Sequence, residues 1–197
     1  NEVKDIDEII EVFSKNNTKN IFYKCDLTNF KMTNEVYNEI ISDFNLIHGC
    51  VLNAGGDVIG TDDSAAGRKA KANNFEINET EHDIIFNRNY KTTLNSLKAI
   101  IPHFKLNKYG KIVTTSSVSA NYGVTQETAY SISKAAVVQL TRSIAREMRP
   151  YDINVNCIAP SATFTGRFNA TIEDRSTEDK EKIKSSKNSM LTKLAKP

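Results

Sequence analysis

The feature that most constrains this chain is a regular alternation. Four short runs are rich in apolar and β-branched residues: 20–25 (NIFYKC), 48–53 (HGCVLN), 111–115 (KIVTT) and 153–158 (INVNCI). Between them lie stretches whose apolar residues recur at helical spacing. Residues 2–15 carry Val3, Ile6, Ile9, Ile10 and Phe13. A second stretch carries Val36, Ile40, Ile41 and Phe44, with Thr33 as its expected cap. A third spans 79–106 with Ile84, Ile85, Leu94, Leu97, Ile100 and Ile101, and Pro102 is expected to kink it or mark its last turns. The fourth runs from about Glu127 to Met148, where Pro150 stops it. The predicted order is α-β-α-β-α-β-α-β. That order implies an α/β fold, a parallel sheet with helices on both faces. The runs are apolar without strict alternation, as buried parallel strands are.

In open parallel sheets, ligands bind beyond the carboxyl ends of the strands. Four places qualify: Asp26, Asn53-Ala54-Gly55, Ser116-Ser117 and Pro160-Ser161. At the second, Gly55 and Gly56 permit a tight turn and bring bare backbone toward a ligand.

One helical stretch, AYSISKAA (129–136), holds Tyr130 and Lys134 four residues apart. Positions i and i+4 share a helix face, so an ammonium sits beside a phenol. A nearby cation favours phenolate, which fits a tyrosine for acid–base work near neutral pH. The pair alone is weak, because roughly one tyrosine in fifteen has Lys at +4 by chance at average usage. A core tyrosine beside a solvated lysine explains it equally well. Its neighbours add weight. Ser117 follows a strand and offers a hydroxyl to a substrate carbonyl, and the amide of Asn89 can hold a water that passes protons to Lys134. Competing readings stand beside these. Asp26 also suits a helix-initiating turn, Asn53 a strand-end cap, and Asn89 a helix surface.

Composition removes several alternatives. A formal net charge of +2 over 197 residues calls for neither nucleic acid nor an acidic membrane. No apolar run approaches the roughly 18 residues that span a bilayer. The three cysteines, Cys25, Cys50 and Cys157, form no C-x-x-C pair and are expected as buried thiols in a reducing, cytoplasmic setting. His48, His82 and His103 lack ligand spacing, so no metal site is expected.

Six segments, in order, resemble the short-chain dehydrogenase/reductase family: CDLTN (25–29), LNAGG (52–56), FNRNYKTT (86–93), GKIVTTSSVSANYG (110–123), AYSISKAA (129–136) and VNCIAPSATFTG (155–166). The resemblance implies a Rossmann-like, doubly wound parallel sheet in three αβα layers, as one domain over 1–197. It implies hydride transfer between NAD or NADP and a small-molecule carbonyl or secondary alcohol. Tyr130 is then the acid/base and Ser117 positions the substrate oxygen. Lys134 lowers the tyrosine pKa and holds the nicotinamide ribose, and Asn89 supports the proton relay. Asp26 and Leu27 contact the adenine, and Asn53, Ala54 and Gly55 the adjoining ribose region. Pro160, Ser161, Thr163 and Thr165 lie on the nicotinamide side. Residues 57–78 and 166–190 are expected as substrate-side loops. The helices at 79–106 and 127–149 resemble the family's dimer or tetramer interface. A 3-oxoacyl-carrier-protein reductase-like enzyme and an inactive dinucleotide-fold scaffold are the alternatives.

The family's glycine-rich turn, T-G-x-x-x-G-x-G, is not matched by the glycines at 49, 55, 56, 60, 67, 110, 123 and 166. The resemblance therefore implies a fold cut at both ends. It also predicts that the strand at 20–25 lacks its proper neighbours and that the isolated chain binds cofactor weakly.

Overall fold

The computed structural model describes residues 6–15, 18–56, 74–123, 127–161 and 163. The chain divides into two compact units, one of residues 1–24, 60–68 and 162–197, the other of 25–59 and 69–161. In the first, helix α1 spans Ile6–Lys15, tied on its surface by a Lys15–Glu11 ion pair at 2.8 Å. Just after it, the amide of Thr18 donates to the carbonyl of Phe13 (3.2 Å).

The second unit carries the sheet. Its elements are α2 (Phe30–Phe44), β1 (Gly49–Leu52), α3 (Glu79–Phe86), a π turn (Asn87–Lys91), α4 (Thr92–Asn107), β2 (Gly110–Thr115), a 3-10 turn (Val118–Ala120), α5 (Thr128–Met148), a second 3-10 turn (Arg149–Tyr151) and β3 (Ile153–Ile158). The strands form a parallel sheet in the order β1-β2-β3, with Cys50 opposite Ile112 and Ile112 opposite Val155. Three of the four expected strands are therefore present in the expected sense.

The fourth is not. Residues 18–26 form no regular element. An apolar run becomes a strand only where a neighbour completes its ladder, and among the described residues no strand lies beside it. The cap of α2 also differs from expectation. Asn29 is the N-cap, its Oδ1 accepting from the Met32 amide at 3.2 Å. Thr33 lies inside the first turn, with its hydroxyl on the carbonyls of Asn29 (2.8 Å) and Leu27 (3.3 Å). The pattern read as one helix from 79 to 106 is broken by the π turn at 87–91, an extra residue that re-aims the side chains there.

The core lies on one face of the sheet. Leu97, Ile100 and Phe104 of α4 and Met148 of α5 close over Ile112 of β2 and Ile153 and Val155 of β3. Burying each such side chain stabilises by roughly 1.5–3 kcal/mol. Phe104 is fully buried beneath Gly110, where a Cβ would lie 2.5 Å from its ring. The opposite face is open among the described residues of this unit. Val51 is 69% exposed and Ile158 49%, and Lys111, Asn154 and Asn156 face solvent. The expected helices on both faces are thus described on one face only. Cys25, Cys50 and Cys157 are free thiols, half-buried rather than fully buried.

Candidate active site

Helix α5 places the central pair. Its buried positions, Ala129, Ser133, Lys134, Val137, Thr141 and Met148, lie along one side of the helix. Thr141 meets Thr114 of β2 through a 2.7 Å hydroxyl pair, and the Ser116 hydroxyl donates to the carbonyl of Lys134 at 2.9 Å. These contacts fix the helix against the end of β2. Lys134 is only 4% exposed, and its Nζ donates to the carbonyl of Thr115 at 3.0 Å. That nitrogen stands 5.7 Å from the ring centroid of Tyr130, which is half-buried. Burial lowers the Lys134 pKa from its ordinary value, and the nearby Cys157 opposes that shift.

Asn89 sits in the π turn and is wholly buried. Its Oδ1 accepts from the Gly56 amide (3.0 Å), and its Nδ2 donates to the carbonyls of Gly56 (2.9 Å) and Ile85 (2.8 Å). Both amide hydrogens are therefore spent on backbone. The side chain holds the loop after β1. Gly55 lies in the same cluster. A Cβ there would lie 2.6 Å from Asn89 Oδ1 and 3.1 Å from Lys134 Nζ. Only a residue without a side chain leaves that space clear.

Ser117 caps the 3-10 turn. Its hydroxyl oxygen accepts from the Ser119 amide (3.3 Å) and the Ser119 hydroxyl (2.9 Å), which leaves its own proton to donate. The next amide, that of Val118, donates to the carbonyl of Pro160 at 3.1 Å, so the ends of β2 and β3 meet beside Ser117.

A cavity of about 80 Å³ opens at the carboxyl end of β1. Leu27, Asn53 and Ala54 line it, together with Tyr37, Thr92 and Ser96. Burial raises the Tyr37 phenol well above its ordinary pKa, so this tyrosine stays protonated and is unsuited to act as a base. Asp26 is exposed and makes the turn foreseen as its competing role. Its Oδ1 accepts from the Thr28 hydroxyl (2.7 Å) and amide (2.9 Å), bonds that hold its carboxyl below the usual range. Ser161 is exposed at the end of β3, Thr163 belongs to the other unit, and Thr165 lies outside the described residues, as do 57–73 and 166–190 of the expected substrate-side loops.

Sequence reasoning missed Gly56 as the partner of Asn89, and it missed Thr92 and Asn95 of α4, whose side chains reach the carbonyls of Ala54 (3.4 Å) and Leu27 (2.9 Å). The double glycine was a signal for the first. Nothing in the local pattern marks the other two. Among the described residues, no three of His, Cys, Asp and Glu gather as metal ligands, and no helix is long and apolar enough to cross a membrane.

A parallel sheet with a buried lysine beside a tyrosine at its carboxyl rim defines a dinucleotide-fold protein. The chain belongs to the short chain dehydrogenase family, whose model matches residues 1–176. It is 27% identical over 168 residues to a cyclohexanol dehydrogenase of Rhodococcus sp. (strain TK6), covering 83% of this chain and 57% of that protein. It is 34% identical over 125 residues to the oxidoreductase UcpA of Salmonella typhimurium, covering 63% of this chain and 45% of that one. Among solved structures it resembles NAD+-bound xylitol dehydrogenase (TM-score 0.74, 23% identity, 86% of this chain and 60% of that one). It also resembles ElxO with NADP bound (TM-score 0.72, 26% identity, 85% and 63%). The chain thus spans a little over half the length of the cyclohexanol dehydrogenase and about three fifths of each of these two solved chains.

Proposed function

We propose that this chain carries the proton-handling and adenosine-side machinery of an oxidoreductase that uses NAD or NADP on a small carbonyl or secondary alcohol. The observation that carries the reading is the buried ammonium of Lys134, held by the Thr115 carbonyl at 3.0 Å and 5.7 Å from the Tyr130 ring. A cofactor fits the residues present. Gly55 keeps a cradle open beside Asn89 and Lys134, and Leu27, Asn53 and Ala54 line a cavity at the next strand end. When bound, the nicotinamide group supplies or accepts the hydride.

The chain's own residues handle the proton. In oxidation, Tyr130 as phenolate takes the hydroxyl proton of the alcohol; in reduction, its phenol returns a proton to the carbonyl oxygen. Lys134 favours the phenolate by its charge. Ser117 donates its unspent proton to the same substrate oxygen and fixes its position. Asn89 holds Gly56, and with it the loop after β1, by two bonds to the Gly56 backbone, and Lys134 keeps the orientation set by Thr115. Asp26, with Leu27, borders the adenosine end, and Pro160 and Ser161 the nicotinamide end, the side to which family resemblance also assigns Thr163 and Thr165. Three free thiols suit a reducing, cytoplasmic setting, and helices α4 and α5 supply the surface for a dimer or tetramer.

The pH dependence of kcat/KM tests this reading. In Lys134→Met the half-maximal pH for alcohol oxidation moves upward by about one unit or more, because the phenolate loses its cation. An unchanged profile in an active variant contradicts the role given to Lys134.

A further inference from the structure

Three polar side chains of the 87–107 helical stretch recur at a spacing of three. Asn89 binds both backbone groups of Gly56 (2.9 and 3.0 Å). Thr92 reaches the carbonyl of Ala54 at 3.4 Å. Asn95, only 4% exposed, donates to the carbonyls of Leu27 (2.9 Å) and Thr28 (3.0 Å). Asn89 thus holds the loop after β1, Thr92 borders that loop while its hydroxyl donates chiefly to the Arg88 carbonyl (2.8 Å), and Asn95 holds the turn that follows Cys25. Both segments border the cavity lined by Leu27, Asn53, Ala54 and Thr92. These walls belong to distant parts of the sequence and share no strand pairing, so the helix is their common support.

The second wall is fastened twice. Thr33, fully buried, donates its single hydroxyl proton chiefly to the Asn29 carbonyl (2.8 Å), with the Leu27 carbonyl as a longer shared acceptor (3.3 Å). Asp26 closes the turn through Thr28, and the Asn29 amide returns to the Asp26 carbonyl at 3.0 Å. Carbonyls in irregular backbone need such donors, since no ladder supplies them.

We propose that Asn95, backed by Thr33, is a positioning residue that sets the distance between the two walls and thereby the affinity for the adenosine half of the cofactor. This rests on the oxidoreductase reading above. Asn95 acts through the Leu27–Thr28 backbone, at the opposite end of the site from the proton chemistry of Tyr130. Its loss is therefore expected to weaken dinucleotide binding and to leave the transfer step intact once the site is filled.

The test uses Asn95→Leu, which removes the donors at similar size, and Asn95→Asp, which turns acceptors toward the two carbonyls. In both, the dissociation constant for 5′-AMP by calorimetry, and that for NADH or NADPH by fluorescence, rise about tenfold, the scale of one lost buried hydrogen-bond set. The kcat at saturating cofactor and the turnover with reduced nicotinamide mononucleotide, which lacks adenosine, stay within about twofold. Thr33 gives an independent arm if the Asn95 variants fold poorly. Thr33→Val weakens 5′-AMP about threefold, and Thr33→Ser, which keeps the hydroxyl, restores it. Unchanged 5′-AMP affinity in these variants overturns the proposal alone, as does an equal loss with the mononucleotide. A wild-type protein that binds neither 5′-AMP nor any nicotinamide dinucleotide overturns the reading on which it rests.

Discussion

Strands β1 and β2 run side by side, with Gly49 to Leu52 opposite Lys111 to Thr114, and they support two different kinds of site. β2 has a neighbour on each side, and its buried positions Gly110, Ile112 and Thr114 face the helices. At its end the Ser116 hydroxyl bonds the Lys134 carbonyl and the Lys134 ammonium bonds the Thr115 carbonyl, and both bonds are backed by the packing of buried Val137 and Thr141 of α5 against the sheet. β1 pairs only with β2 among the described residues, and Val51 is 69% exposed. At its end the backbone is held by single side chains, Asn89 of the π turn on Gly56 and Asn95 of α4 on the neighbouring Leu27–Thr28 turn. The difference separates two ways of building precision. One uses packing, which is cooperative and resists small changes. The other uses a few long-range hydrogen bonds, which can be removed one at a time.

The largest expected effect lies on the packed side. Phe104 is fully buried in the core between α4 and β2, so Phe104→Ala is predicted to cost about 3–5 kcal/mol in urea unfolding. A loss under 1 kcal/mol would erase the contrast between the two strands. A sharper comparison makes the same change at the start of each strand. Gly110→Ala drives a methyl to 2.5 Å from the Phe104 ring and is predicted to cost about 1–3 kcal/mol. Gly49→Ala meets the Lys111 carbonyl at 3.3 Å and the Lys111 Cβ at 3.9 Å and is predicted to cost less than about 1 kcal/mol. Equal losses would show that β1 is packed as tightly as β2.

The smallest effect is electrostatic and lies at the edge. The Thr28 hydroxyl, then its amide, holds the Asp26 carboxyl below the ordinary value. A depressed carboxylate adds stability above its unfolded pKa, and that stability is lost as pH falls through the folded pKa. Thr28→Val removes the first bond, so an NMR titration of Asp26 moves upward, toward an ordinary carboxylate. Asp26 is exposed, so the change in unfolding free energy is small.

The same contrast explains what the sequence made legible. β2 and β3 were readable because burial collects apolar, β-branched residues such as Ile112, Ile153 and Val155 into short runs, and α5 because it is a long helical stretch stopped by Pro150. Tyr130 and Lys134 share a helical face by spacing alone, so their pairing was readable too. The run at 20–25 has strand composition, yet a strand depends on a neighbour that composition does not encode. Asn95 reaches carbonyls 67 and 68 residues away, and no local pattern announces such a bond. The π turn at 87–91 was hidden for a related reason. The apolar residues that flank it, Ile84, Ile85, Leu94 and Leu97, fit an ordinary helix, and the bonds that Asn89 makes to Gly56 became visible only in three dimensions.

The central claim is that the phenol of Tyr130 exchanges the proton while α4 and the strand ends hold the cofactor. Steady-state turnover of Tyr130→Phe, measured together with the NADH and NADPH dissociation constants, tests it most directly. The account predicts that kcat falls by about 10²–10⁴ while cofactor affinity stays within about threefold. A phenylalanine variant that keeps most of its turnover would contradict it.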